Sequence, residues 1–155
     1  MAHLFHVFTI IFLLFTFTLA APVKFKSAAI AVVAANHLQK QVTPIHRTGG
    51  KNDVIGGGVR DKDWHKQDGK VQPHDTKGLS FNKAPVDPAK LSNKQAAYSI
   101  KPTQLKGTDF KAVHDGGRDG HAPGHVTLAY KGPPATDAEL KQKLNGLPFK
   151  KTLKS

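Results

Sequence analysis

Apolar positions fall into three patterns along the chain. The first is an uninterrupted run, Phe8-Thr-Ile-Ile-Phe-Leu-Leu-Phe-Thr-Phe-Thr-Leu19, closed by Ala20-Ala21-Pro22. It is short for a membrane span, and small residues end it, so residues 1–20 are expected to be a secretory signal peptide. The second is the alanine-rich run Ala28 to Leu38. It predicts a helix, or a removable pro-segment, within residues 21–44. The third is short alternation. Val42-Thr-Pro-Ile-His-Arg47, Ala97-Tyr-Ser-Ile100, Phe110-Lys-Ala-Val-His114 and Val126-Thr-Leu-Ala-Tyr130 all predict strands. Gly49-Gly50 is expected to end the first of these. Asp87-Pro88 offers an N-cap and a first-turn proline, which predicts a helix to about Asn93. Thr136-Asp-Ala-Glu139 is a capping box opening a second helix. Asn145-Gly146 closes it, with the glycine expected in the left-handed conformation, and Pro148 prevents continuation. The tail, residues 150–155, is basic and expected to fray. Asp61 to Lys77 is too polar for core, with Trp64 as its one strong anchor. These elements predict an α+β domain with a mostly antiparallel sheet over residues 45–149.

Composition narrows the picture. A chain of 155 residues suggests one domain. With no cysteine, no disulfide framework can supplement a modest core. The net charge is +12, and none of the charged residues lies in the first twenty, so the mature part carries the whole excess. Such a surface attracts polyanions, and nucleic acid is among the expected partners. The lysines are spread along the chain rather than gathered in one arm. After signal removal the protein is expected to be secreted, monomeric and without stable membrane insertion.

The densest chemistry lies in Asp115-Gly-Gly-Arg-Asp-Gly-His-Ala-Pro-Gly-His125, a glycine-rich loop that runs into the Val126–Tyr130 strand. Functional groups on a mobile loop pinned to a strand are common. His114, His121 and His125 fall in this window. Their spacing fits no compact zinc pattern, and Pro123-Gly124 forbids the helix that would align residues 121 and 125. No metal is expected. Two imidazoles and a lysine could cleave RNA by acid–base chemistry. A nucleophilic hydrolase is poorly supported, since there is no cysteine and no Gly-x-Ser-x-Gly elbow. Glu139 is the only glutamate, and capping accounts for it.

Asp68-Gly-Lys-Val-Gln-Pro-His-Asp-Thr-Lys-Gly-Leu-Ser-Phe81 resembles the Asp-Gly…Pro…Thr-x-Gly-x-Ser segment of the ADP-ribosyltransferase-fold toxins delivered by type VI secretion, and of their fungal relatives. Phe110-Lys-Ala-Val-His-Asp115 followed by Gly124-His-Val-Thr-Leu128 is similar to that family's strand, polar loop and His-x-Thr strand. His46-Arg47 falls where the fold places a His or Arg on an early strand. The likeness spans roughly residues 45–147. It implies a split, mostly antiparallel sheet with flanking helices that grips NAD as substrate. By the same resemblance, His46 or Arg47 would hold ribose or phosphate. Ser80, with Phe81 beside it, would brace the nicotinamide-side ribose, and His125 would polarise the departing nicotinamide bond. The chain departs from the family in lacking a catalytic glutamate on the late strand. The implied protein is a secreted basic toxin or effector that modifies a macromolecular target. The alternatives are a secreted basic ribonuclease or nucleic-acid-binding effector using His114, His121 and His125, and a non-catalytic protein docked to an anionic surface.

Overall fold

The computed structural model describes residues 32–38 and 42–154. The chain divides after residue 40 into two compact units. The expected signal peptide lies outside the described residues. In the first unit the described residues 32–38 are helical (α1). No described helix is long and apolar enough to cross a membrane.

The second unit is built on eight strands: β1 (Ile45–Gly50), β2 (Lys66–Gln67), β3 (Lys70–Val71), β4 (Gly78–Asn82), β5 (Gln95–Ile100), β6 (Phe110–Val113), β7 (His125–Tyr130) and β8 (Lys150–Leu153). One helix, α2 (Asp137–Asn145), lies between β7 and β8. Six strands form one sheet in the order β6-β7-β4-β1-β5-β8, all neighbours antiparallel. The architecture is therefore α+β on an antiparallel sheet. Strands β2 and β3 form a separate hairpin, turned at Asp68-Gly69 where both residues have positive φ.

The pairing is uneven. β1 is zipped to β5 from Ile45↔Ile100 to Gly50↔Gln95, and β4 to β7 from Gly78↔Ala129 to Asn82↔His125. Between β1 and β4 the ladder has a single registered pair, His46↔Asn82. The sheet is thus two well-paired halves, β6-β7-β4 and β1-β5-β8, joined along a sparse seam.

Alternation along each strand assigns the faces. Ile45, Leu79, Phe81, Tyr98, Ile100, Val126, Leu128 and Tyr130 fill the core side, where Leu140 and Leu144 of α2 join them. Val54, Ile55, Trp64 and Val71 complete this core from connecting segments. The stretch from Asp61 to Lys77, expected to contribute only Trp64, thus also buries Val71 through its hairpin. The opposite face carries His46, Ser80, Asn82, Ser99, His125 and Lys150.

Several boundaries differ from expectation for local reasons. Gly49-Gly50 belongs to β1 instead of ending it. A Cβ at Gly49 would stand 2.6 Å from the Val54 carbonyl, so the glycine admits the returning loop. The expected helix after Asp87 is only a 3₁₀ turn, Pro88–Lys90, capped by the Asp87 carboxylate on the Ala89 amide at 3.0 Å. The Thr136–Glu139 capping box is formed, but Gly146 is right-handed, with φ −76°. The tail expected to fray is β8, paired from Ser99↔Lys150 to Ala96↔Leu153.

Candidate functional site

Residues 115–125 fold back on themselves. Gly116 donates its N–H to the His125 carbonyl at 3.1 Å, Gly117 to His121 at 3.0 Å and His121 to Arg118 at 2.8 Å. A Cβ on Gly116 would lie 2.7 Å from the Gly124 nitrogen, so only glycine permits this closure. The loop is fixed to β4 by the Lys83 amide, which donates to the Gly124 carbonyl at 3.0 Å.

The folded loop carries Asp115 under the start of β7. Its Oδ1 lies 2.6 Å from His125 Nδ1, and its Oδ2 accepts the Thr127 hydroxyl at 2.7 Å. Asp115 is 8% exposed and Thr127 3%. Burial pushes the Asp115 carboxyl up, but the bonds from Thr127 and His125 together outweigh it, and the group is held below the usual carboxylate range. The ionised carboxylate thus has a defined job. It fixes the His125 ring by its Nδ1 and leaves Nε2 as the nitrogen turned away from the carboxylate.

His121 packs face to face on His125, with ring centroids 4.1 Å apart and planes 7° from parallel. The expectation that a loop would keep these two apart is corrected: the tight reversal, not a helix, brings them together. Asp115, His121 and His125 offer ligand atoms within 4.8 Å of one another. A metal binds imidazole in the ring plane, however, and two parallel rings at this separation share no such point. As it stands, the cluster orients an imidazole. Nor do the stacked rings face each other across a gap that a phosphodiester could occupy.

Ser80 is exposed on β4, directly opposite Thr127 and diagonal to His125. Such diagonal neighbours lie about 7–8 Å apart. His46 shares their face, two strands from His125 through Asn82. Burial lowers its pKa, which favours a neutral ring at pH 7. Arg47 takes the opposite face. Its Nε donates to the Val54 carbonyl at 2.9 Å, one terminal nitrogen to Ser80 at 3.0 Å and the other to Ile55 at 2.9 Å. The guanidinium expected at the ligand therefore clasps the seam, substituting for the backbone pairing missing between β1 and β4. Phe81, expected beside the ligand, is 2% exposed in the core and stacks on Phe149 with centroids 6.0 Å apart.

Of the expected residues, the register brings together His46, Ser80 and His125, and sets Arg47 and Phe81 behind them. His114 follows the end of β6. Asp115 and Thr127 were not anticipated as partners of His125. The sequence signal was present: an acid opens the glycine-rich loop and His-x-Thr closes it.

One transverse row crosses five strands on the open face: Lys150↔Ser99, Ser99↔His46, His46↔Asn82, Asn82↔His125. Four strand spacings make it about 19 Å long. Near its Lys150 end lies a pocket of about 190 Å³, whose lining includes His46, Val86, Ser99, Lys150 and Thr152. No family model matches the chain, and neither a curated protein nor a solved structure matches it.

Proposed function

We propose that the open face is the substrate site of an ADP-ribosyltransferase-like domain, in a secreted basic effector that uses NAD to modify a macromolecular target. One observation carries this reading. Residues from three separate strands, His46, Ser80 and His125, lie on one face and straddle the seam of a two-halved antiparallel sheet. The resemblance in Asp68–Phe81 and Gly124–Leu128 names Ser80 and His125, and the likeness at His46-Arg47 names His46.

Nicotinamide leaves NAD as a neutral molecule, taking the electron pair of its glycosidic bond, so the leaving group needs no proton. What the reaction needs is charge stabilisation at the ribose and a base for the incoming nucleophile. His125 Nε2 supplies the base as the nucleophile bonds to the ribose carbon. Asp115 behind it stabilises the imidazolium that results. Ser80 and His46 offer hydrogen bonds to ribose hydroxyls. The +12 charge favours a ligand with two phosphates.

Nicotinamide release from NAD, with and without cell extract as a source of targets, tests the reading. We expect release by the wild type and a loss of about 100-fold or more in His125→Ala, the scale of one acid–base group. Circular dichroism would confirm that the variant remains folded. No release by the wild type under either condition would overturn the reading. RNA hydrolysis without NAD would install the nuclease alternative in its place.

A further inference from the structure

The far end of the transverse row has a character of its own. Lys150, Ser99 and His46 come from three neighbouring strands, and Thr152 stands two residues along β8 on the same face. They line one wall of the pocket, and Pro85, Val86 and Pro88 form an apolar wall. Among the described residues no Asp or Glu lines it. Like most lysines among the described residues, Lys150 has no ion-pair partner there, unlike Lys66, Lys131, Lys141 and Lys143, so its ammonium is available to a ligand. Residues bearing an ammonium, two hydroxyls and an imidazole thus line one hollow, and the nearest acid in sequence, Asp87, spends its carboxylate on the Ala89 amide.

We infer that this pocket binds the phosphate group of a nucleotide, with Lys150 as its counter-charge, Ser99, Thr152 and His46 as hydrogen-bonding groups, and Pro85, Val86 and Pro88 as the surface for the sugar or base. The volume of about 190 Å³ is below that of an ordinary ligand pocket, so it takes one phosphate-bearing end and not a whole dinucleotide. The inference goes beyond the NAD reading, because it requires phosphate recognition alone. A free nucleotide and the 5′ end of an RNA chain offer the same chemistry.

Amide chemical shifts of the full mature protein, titrated with adenosine 5′-monophosphate, adenosine and a ribo-tetranucleotide with or without a 5′-phosphate, would test it. We expect the monophosphate to shift His46, Ser99, Lys150 and Thr152 and to bind at least tenfold more tightly than adenosine. Lys150→Gln should lose that advantage and Lys150→Arg should keep it. Val86→Trp, which fills the hollow, should block binding while leaving Lys150 in place. Tighter binding of the monophosphate than of the phosphorylated tetranucleotide would assign the site to free nucleotides, and the reverse order to chain ends. Equal affinity for adenosine and its monophosphate, or binding unchanged in both Lys150→Gln and Val86→Trp, would overturn the inference. The titration needs no turnover, so its outcome is independent of nicotinamide release.

Discussion

The two halves of the sheet use their polar residues in opposite ways. In the β6-β7-β4 half, Asp115, His125 and Thr127 are buried or half-buried and satisfy one another. In the β1-β5-β8 half, His46, Ser99, Lys150 and Thr152 line a hollow, and the lysine has no ion-pair partner among the described residues. A preorganised group costs little to hold in place when a reaction needs it. An unpaired cation beside a hollow gains a partner only when a ligand arrives. On the two proposals made above, the contrast separates a half that does chemistry from a half that holds an anion. Arg47 ties the two together through the Ser80 carbonyl of β4.

The hardest blow to this arrangement is Arg47→Ala. Three carbonyls, from Val54, Ile55 and Ser80, would lose a charged donor at once. A loss of about 3 kcal/mol follows from hydrogen bonds of this kind. Arg47→Lys should recover little, because a point ammonium cannot span three acceptors set around a planar fork. Denaturant unfolding of the two variants measures this. Wild-type stability in both would show that the seam holds without its clasp.

Asp115→Asn acts on the first half alone. The amide leaves His125 and Thr127 poorly matched, at a cost of about 2 kcal/mol. The pH dependence is more specific. The folded Asp115 carboxyl is depressed, so its contribution is complete above the unfolded value, about 3.9, and is lost as pH falls through the lower folded value. Wild-type stability should therefore decline below about pH 4 more steeply than that of Asp115→Asn. Parallel acid limbs, from thermal melts between pH 2 and 7, would show that this carboxylate does not sense folding. The phosphate pocket should bind its probe unchanged in this variant.

Much of this framework is legible in the sequence, and its limits have physical causes. The runs at Ala97–Ile100 and Phe110–His114 identify strands by alternation, because one face is more buried than the other, whereas Val126–Tyr130 is buried on both faces and is identified by its β-branched and aromatic residues. The capping box identifies α2 because Thr136 and Glu139 satisfy each other locally. Local pattern cannot report what depends on distant partners. The Lys150–Leu153 segment looks like a frayed tail because its four residues are exposed, yet its backbone pairs with β5. Arg47 looks like a ligand-binding group because nothing near it in sequence announces the three carbonyls that occupy it. The Asp115–His125 pair depends on a reversal that only Gly116 and its neighbouring positive-φ residues make possible.

The smallest structural perturbation gives the sharpest functional comparison. Ser80 is exposed, and no hydrogen bond among the described residues involves its hydroxyl; its backbone pairs with Thr127, and its carbonyl accepts from Arg47. Ser80→Ala keeps that carbonyl, so its stability should stay within about 0.5 kcal/mol of wild type. The hydroxyl nonetheless stands opposite Thr127 and diagonal to His125, where a ribose would lie. On the proposed function its loss removes one hydrogen bond to substrate, about tenfold in kcat/KM for nicotinamide release. A variant with the wild-type melting curve and unchanged turnover would take Ser80 out of the site. Changed turnover with the same melting curve would separate chemistry from folding on this face, which neither Arg47→Ala nor Asp115→Asn can do.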